Sequence, residues 1–165
     1  EQSFTMTATA TPTTAKNATI KWKTSDSNIL AVSGGKVTGK GKGTATITAY
    51  TSNGTEATCT VTVSAPPIEK NSLSLTIDGT EYSGSNAFKP KVSASKTVKL
   101  TTNLTSTQMS KYYKVTWTSS NPKVATISPS SNTQSATLKA LSKGATTISA
   151  TVGGHTVSFS VQVTE

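Results

Sequence analysis

Three short blocks of this sequence occur twice, in the same order. The block "IKWKTSDSNILAVS" (20–33) aligns without a gap with "VTWTSSNPKVATIS" (115–128). The block "KGTATITA" (42–49) aligns with "KGATTISA" (143–150), and "TCTVTV" (58–63) aligns with "SFSVQV" (158–163). Because an ordered internal repeat reflects a repeated structural unit, the sequence predicts two copies of one domain.

Apolar residues in these blocks alternate with Thr or Ser, which is the period of a half-buried strand. Ile47, Cys59, Val61 and Val63 fall on one face, and Thr, a good strand former, falls on the other. Only 33% of the residues are hydrophobic, but their regular alternation indicates a folded, all-β chain. Cys59 is the single cysteine, and we expect it to face inward as a small buried hydrophobe.

Turn signals separate the predicted strands and set the domain boundaries. Asn53-Gly54 and Gly153-Gly154 each favour a tight two-residue hairpin, and no window shows a helical period. Pro66-Pro67 predicts a short extended linker. We therefore expect one module at 1–65, a linker at 66–71 and a second module at 72–165. Short strands with turns every eight to twelve residues are typical of a β-sandwich.

The first copy has, over residues 8–63, the sequence "ATATPTTAKNATIKWKTSDSNILAVSGGKVTGKGKGTATITAYTSNGTEATCTVTV". This stretch resembles the bacterial immunoglobulin-like domain of group 2 (Big-2 family). The shared pattern includes a Pro that closes a strand, the Trp-Ser turn, Gly-Lys-Val-Thr-Gly and the last two strands. The second copy keeps the Trp block and the last two strands but departs at "NLTSTQMSKYYK" and at "SPSSNTQSATLKALSKG". The resemblance implies two tandem immunoglobulin-like Greek-key β-sandwiches, of the kind found along secreted or surface-anchored bacterial and phage proteins.

The repeated Trp residues have two interpretations. Trp22 shares a strand face with Ile20, and Trp117 shares one with Val115, which favours an anchor in each module's core. The alternative is a solvent-facing platform on which a sugar stacks. The Ser-Asp and Ser-Asn pairs that follow the Trp strands are turn formers whose side chains bond nearby backbone.

The net charge of +9 comes entirely from lysine, since the chain contains no arginine. Arg is the usual reader of guanine and the bidentate clamp of phosphate, so this composition argues against nucleic-acid binding. Lys36, Lys40 and Lys42 lie close together in the Gly-rich stretch "GGKVTGKGKG". They are the candidate contact for a polyanion such as teichoic acid, an anionic polysaccharide or a glycosaminoglycan. The alternative is a solvated turn whose charge only increases solubility.

The sequence offers few groups for catalysis or metal binding, and we expect no enzymatic activity, metal or cofactor. The single His155 follows a hairpin turn, where we expect it to be exposed, and Asp26 and Asp78 lie among turn formers. Asp78 and Glu81 form either a plain turn or a weak calcium site. Three Asn-x-Thr triplets, at Asn17, Asn53 and Asn103, have the form of glycosylation acceptors.

The leading functional hypothesis is a non-enzymatic extracellular stalk or spacer, with a further role in adhesion. The alternatives are a module that binds a glycan or a host protein, and an ancillary part of a polysaccharide-degrading enzyme or a phage particle. Expected partners are neighbouring domains of the same chain and a cell-wall or host-surface glycan or protein, with no membrane insertion. Tyr50, Tyr82 and Tyr112 are the candidates for stacking on a sugar.

The first copy is shorter than the second at its start. In the second copy, "SLSLTI" forms an additional alternating strand before "VKLTTNL", whereas only three residues precede the matching "FTMTATA" of the first copy. We expect the first module to lack an opening strand that lies upstream, and to be the less stable module. An uncovered sheet edge leaves backbone groups unpaired.

Overall fold

The computed structural model describes residues 2–11, 19–131 and 134–165. It divides into two compact units, which we call unit 1 (Glu1–Ala65) and unit 2 (Pro66–Glu165). Apart from one α-helix and one short 3-10 helix, the described elements are β-strands. The prediction of an all-β chain with two tandem immunoglobulin-like sandwiches is confirmed.

Unit 1 contains two three-stranded sheets. One has the order β1-β4-β3 and the other has the order β2-β5-β6. The strands are β1 (Ser3–Thr5), β2 (Lys21–Thr24), β3 (Leu30–Ser33), β4 (Lys36–Gly39), β5 (Gly43–Tyr50) and β6 (Glu56–Val63). All pairs are antiparallel, and the β5–β6 hairpin is the longest, from Gly43 opposite Val63 to Tyr50 opposite Glu56.

Unit 2 repeats this plan with more strands. Its sheets have the orders β12-β13-β10-β7-β8 and β11-β14-β15-β9. The strands are β7 (Ser74–Ile77), β8 (Thr80–Tyr82), β9 (Gly84–Phe88), β10 (Ser95–Thr101), β11 (Thr116–Ser119), β12 (Ala125–Pro129), β13 (Ser135–Ala140), β14 (Gly144–Val152) and β15 (His155–Val163). Strands β10 to β15 correspond to unit 1, whereas β7, β8 and β9 have no counterpart among the described residues of unit 1.

The repeated blocks produce the same local structures in both units. Trp22 lies opposite Ala49 and Trp117 lies opposite Ala150, so the Trp strand pairs with the equivalent strand at the same register. Asp26 Oδ1 accepts the Asn28 N–H at 2.8 Å. In unit 2, the side chain of Asn121 accepts a backbone N–H two residues later in the same way. These bonds confirm that the polar residues after each Trp form turns.

The hairpin turns match the prediction in one copy and differ in the other. Val152 lies opposite His155, so Gly153-Gly154 is a two-residue turn, and both glycines have positive φ (57° and 81°). In unit 1 the Thr51 N–H donates to the Thr55 carbonyl at 3.0 Å, and the intervening turn therefore has three residues. A three-residue loop ends with a residue in the left-handed region, which Gly54 (φ 86°) supplies.

The expectation of no helix was wrong for one segment of unit 2. Helix α1 spans Ser106–Tyr112, inside the stretch where the second copy departs from the first. Thr105 and Gln108 form a capping box, in which each side chain bonds the backbone of the other residue. Met109, the one buried residue of the helix, is fully enclosed in the core of unit 2.

The two units differ greatly in the size of their cores. In the described part of unit 1, the buried cluster consists of Leu30, Val37, Ala45 and Ile47, with Trp22, Val61 and Val63 partly buried around it. The cluster of unit 2 draws on both of its sheets and on the helix, and it includes Leu75, Ile77, Leu138, Ile148 and Phe159. Since buried apolar area is the main stabilising contribution, unit 2 has much the larger source of stability.

Residues 66–71, which we predicted to be a linker, make defined contacts within unit 2. Ile68 is buried in the core cluster of that unit. The Tyr113 hydroxyl donates to the Pro66 carbonyl at 2.6 Å, and the Asn103 side chain donates to the Pro67 carbonyl at 3.1 Å. The segment therefore packs as the first part of unit 2.

Candidate functional site

The three lysines predicted as a polyanion contact lie on one strand and the loop after it. Lys36 begins β4, directly after the Gly34-Gly35 turn, whereas Lys40 and Lys42 follow its end at Gly39. All three side chains are exposed. A rise of about 3.3 Å per residue places Lys36 about 10 Å from the end of β4 at Gly39, and Lys40 and Lys42 lie in the loop beyond it. A series of cations along the chain suits an extended polyanion better than a compact anion.

The tyrosines predicted as sugar platforms are divided between the two units and lie on different elements. Tyr82 packs in unit 2 against Phe88 and Phe159, with ring centroids 5.4 and 5.8 Å apart. Tyr50 is on β5 of unit 1, with the ammonium of Lys23 5.1 Å from its ring centre. Tyr112 ends helix α1 in unit 2, so the three rings serve separate parts of the chain.

The two Trp residues contribute to separate cores, but to different extents. Trp117 is buried, with 8% of its surface exposed, and it belongs to the core cluster of unit 2. Trp22 is only half-buried and lies at the margin of the smaller cluster, near Gly35. The interpretation as a core anchor therefore applies to Trp117, whereas Trp22 packs against its core only in part. The small core of unit 1 covers less of the indole.

The expectation that Cys59 is buried was wrong. Cys59 is exposed although it lies on the inner face of β6, opposite Ile47. Its counterpart Phe159 is 1% exposed, because Tyr82 on β8 and the neighbouring strand β9 cover it. The alternation of apolar residues correctly predicted which face of β6 carries Cys59. Strands equivalent to β8 and β9, which cover this face in unit 2, are not found in the described part of unit 1.

The candidate catalytic and metal-binding residues lie in turns or on strands of the two units, and two of them, Asp26 and Asp78, make structural contacts. Asp78, in the hairpin turn between β7 and β8, accepts a bond from Lys96 Nζ at 2.6 Å. His155 begins β15 and is half-buried, not exposed as expected. Within the described residues, no three His, Cys, Asp or Glu side chains come together as a metal site would require.

The acceptor-like Asn residues also have structural partners. Asn103 Oδ1 accepts the Glu69 N–H at 3.1 Å and the Ser72 hydroxyl at 3.0 Å, and its amide nitrogen donates to Pro67. Asn53 accepts the Thr55 N–H within the β5–β6 turn. Asn17 and the strand-closing Pro12 lie outside the described residues.

Two surface depressions were considered as ligand sites. The larger, about 660 Å³, lies against β8 and β9 and is lined by Thr80, Tyr82, Asn86, Ala87, Phe88 and Lys89. The smaller, about 150 Å³, lies in unit 1 beside Ile20, Ala49 and Tyr50. Both linings include polar side chains, among them Asn86 and Lys89 in the larger depression and Asn53 and Glu56 in the smaller. Both depressions are adjacent to strands whose edges are incompletely covered.

A feature that distinguishes unit 2 from the described part of unit 1 is the parallel pairing of its last strand, β15, with β9. Phe159 lies opposite Gly84 and Val161 lies opposite Phe88 in the β15–β9 pair. Beyond it, the Thr164 N–H donates to the Pro90 carbonyl and the Val92 N–H donates to the Thr164 carbonyl, both at 2.9 Å. Sequence alternation predicts neither the partner nor the direction of this pairing, because both depend on tertiary packing.

Comparison with known proteins agrees with the repeat. The family model described as "Bacterial Ig-like domain (group 2)" matches residues 1–62 and 85–164. The chain is 34% identical over 152 residues to an uncharacterized protein of Clostridium acetobutylicum. That match covers 92% of this chain and spans 14% of the length of the relative.

Solved structures with related folds are more distant in sequence. Domains 4 and 5 of the S-layer protein SbsC are 23% identical, with a TM-score of 0.42, and the match covers 88% of this chain and 70% of that one. The bacterial integrin-binding protein invasin is 13% identical, with a TM-score of 0.48 and coverage of 88% and 31%. No helix in the described residues has both the length and the apolar character needed to cross a bilayer.

Proposed function

We propose that this chain, which belongs to the bacterial immunoglobulin-like domain family of group 2, is a non-enzymatic pair of spacer modules in a bacterial surface or secreted protein. Membership supports the proposal because the family's modules recur along extracellular proteins. The carboxylates also support it, since Glu56 pairs with Lys23 at 2.7 Å and Asp78 pairs with Lys96. Groups engaged on the surface in this way are not arranged around a substrate.

The single observation that carries the proposal is the parallel pairing of β9 with β15. A spacer transmits tension between the domains on either side of it, so its own ends are pulled apart. In unit 2 the segment 84–92 comes from the first part of the unit and β15 is its last strand. When parallel strands are pulled at opposite ends, their hydrogen bonds lie across the force and are loaded together. This geometry makes unit 2 suited to bear tension.

Unit 1 lacks this arrangement in its described residues. Among the described residues, its last strand, β6, pairs with β5 and has no parallel partner on its other side. Tension on unit 1 therefore does not load a parallel strand pair in shear, as it does in unit 2. We expect it to extend first, while unit 2 remains folded.

The experiment is single-molecule stretching of the full chain from both ends. We expect two unfolding events, the weaker one lengthening the chain by about 200 Å (unit 1) and the stronger one by about 300 Å (unit 2), from the reach of an extended chain. If the longer step occurs at the lower force, or if both units open in one event, the spacer proposal is contradicted. Cleavage of a glycan or peptide substrate, lost on replacing one carboxylate, would contradict its non-enzymatic part.

A second candidate function is polyanion binding, favoured by the exposure of Lys36, Lys40 and Lys42 in one short stretch of unit 1. Exposed charges are screened over about 8–10 Å at physiological ionic strength, so such binding is expected to be weak and lost on adding salt. Binding of heparin and teichoic acid is compared for the chain, for the triple Lys→Ser variant, and for a control with Lys99, Lys111 and Lys114 changed to Ser. Binding that survives both high salt and the first triple change would refute this charge-based candidate.

A further inference from the structure

The larger of the two surface depressions lies in unit 2, against the edge strands of both sheets. β8 is an edge strand of one sheet, and β9, which follows it in the chain, is an edge strand of the other. The depression has a volume of about 660 Å³, and its lining comes from β8, from β9 and from Lys89 directly after β9. Since pockets for small molecules have volumes of about 300–1,000 Å³, it is large enough to hold a ligand. We call it the β8–β9 depression.

An irregularity in β9 lets neighbouring residues line the same depression. From its pair with Phe159 to its pair with Val161, β9 advances four residues, Gly84 to Phe88, while β15 advances two. A bulge of this kind interrupts the alternation of side chains and re-aims them. Residues 86–88 therefore all contribute to the lining. A regular strand does not permit this, because its successive side chains point to opposite faces.

The lining combines aromatic rings with unengaged polar groups. Tyr82, one of the tyrosines predicted as sugar platforms, and Phe88 are half-buried, with ring centroids 5.4 Å apart and an angle of 75° between the rings. Part of each ring therefore stays open to solvent. The side chains of Thr80, Asn86 and Lys89 are exposed, and no hydrogen bond or ion pair joins them to another residue in the described part of the chain. Ligand sites usually combine an apolar surface with a few such polar groups.

The form of the two edges favours a small ligand over an added peptide strand. A strand that docks on a sheet needs a row of unpaired backbone groups on the edge that receives it. β8 has only three residues, Thr80–Tyr82, and β9 is interrupted by its bulge. Short edge strands and bulges are features that prevent edge-to-edge pairing. A ligand is therefore recognised by the side chains of the depression.

The charge of the lining indicates the chemistry of that ligand. Among the described lining residues, Lys89 carries the one charge. Glu81 lies between Thr80 and Tyr82 on β8 and therefore points to the opposite face of the strand. The depression thus offers a cation, a hydroxyl, an amide and aromatic rings. From this combination we infer that the β8–β9 depression binds a sugar that carries a carboxylate, such as a hexuronic or sialic acid unit of a glycan.

Each part of the lining has a partner on such a sugar. The carboxylate pairs with the Lys89 ammonium. The Asn86 amide and the Thr80 hydroxyl, which both donate and accept, bond the sugar hydroxyls. The apolar face of the sugar ring packs on the open parts of the Tyr82 and Phe88 rings. This binding role is independent of the spacer role, so a failure of the binding test and a failure of the stretching test are distinguishable.

The test is an NMR titration of the isotope-labelled full chain with two acids, methyl glucuronide and the methyl glycoside of N-acetylneuraminic acid. Methyl glucoside is the neutral control for the first. We expect the acids to cause saturable shifts of the amide signals of residues 80–89. The glucoside should bind about two- to fivefold more weakly than the glucuronide, which is the range for an exposed ion pair. Added salt should reduce this difference, because it screens exposed charges.

A pair of variants separates the site from general charge attraction. Lys89→Gln should lower the affinity for glucuronide to that for glucoside, whereas Lys99→Gln, at an exposed position of β10 in the same unit, should leave both affinities unchanged. Equal effects of the two variants overturn the inference, as do shifts spread over the other lysines of the chain. Absence of any shift with either acid also overturns it, and so does a peptide of alternating Val and Thr that shifts these signals when neither acid does.

Discussion

Replacing Phe159 and Cys59 by Ala gives the sharpest test of how the two units differ. The residues occupy equivalent positions in the repeat, opposite Ile148 and Ile47 respectively. Phe159 is 1% exposed and contacts the ring of Tyr82, whereas Cys59 is exposed. The same substitution site therefore probes a closed core in unit 2 and an open one in unit 1.

The expected magnitudes follow from burial. Truncating a fully buried Phe to Ala removes its transfer free energy and leaves a cavity, which together cost about 3–5 kcal/mol of unfolding free energy. Loss of the contact with the Tyr82 ring, at 5.8 Å between centroids, is part of that cost. At an exposed position such as Cys59, a change to Ala is expected to stay within about 0.5 kcal/mol.

Each unit contains one Trp, so each unfolding transition has its own fluorescence signal. Phe159→Ala is measured by urea unfolding in a Trp22→Phe background, where the emission of Trp117 follows unit 2 alone. Cys59→Ala is measured in a Trp117→Phe background, where Trp22 follows unit 1. Treating each unit as a two-state folder allows the midpoints to be converted into free energies.

The reasoning is refuted if Phe159→Ala costs less than about 1 kcal/mol, because a close-packed interior does not tolerate that loss of volume. It is also refuted if Cys59→Ala costs as much as Phe159→Ala. That result would mean that the inner face of β6 is covered in solution.

Three further outcomes follow from individual contacts. The Cys59 thiol should react in the native chain without denaturant; a reaction limited by the unfolding rate would contradict its exposure. Thr146→Val should destabilise unit 2 by about 1–3 kcal/mol, since the buried hydroxyl bonds two Ser side chains and a backbone N–H. Thr151→Val, at an exposed Thr–Thr pair, is the control and should have little effect. Equal urea midpoints for the two variants would contradict this. Gly153→Ala should lower the melting temperature of unit 2 more than Gly154→Ala. An added Cβ at Gly153 would lie 3.1 Å from Ile68 Cδ1, whereas one at Gly154 would have no atom within 4 Å. The reverse order of melting temperatures would contradict this packing.

The strand content and the repeat could be predicted from the sequence because both depend on local patterns. Alternation placed Cys59 and Phe159 on inner faces correctly, and Gly153-Gly154 specified its own turn. Burial of Cys59 could not be predicted in the same way. It depends on whether another strand covers the face, which is a property of tertiary packing and not of the strand itself.

The other features that the sequence prediction missed differ in how clearly the sequence indicates them. The capping box of helix α1 is written in the sequence as Thr105 and Gln108, and it could have been recognised despite the short helix. The separation of Lys36 from Lys40 and Lys42 reflects the extended strand β4, which places residues that are close in sequence apart in space. The parallel β9–β15 pair joins segments about 75 residues apart, and no local pattern specifies such a pairing.

Pulling unit 2 in two directions tests whether the parallel pairing of β9 and β15 lets it bear tension. One attachment uses the two ends of the chain, which loads the β9–β15 bonds in shear. The other uses Glu165 and a cysteine in place of Lys143, in a Cys59→Ser background, which opens the β14–β15 hairpin from the end where Gly144 faces Val163. We expect a clearly higher unfolding force for unit 2 in the first direction; equal forces in the two directions would contradict a tension-bearing role for the β9–β15 pair.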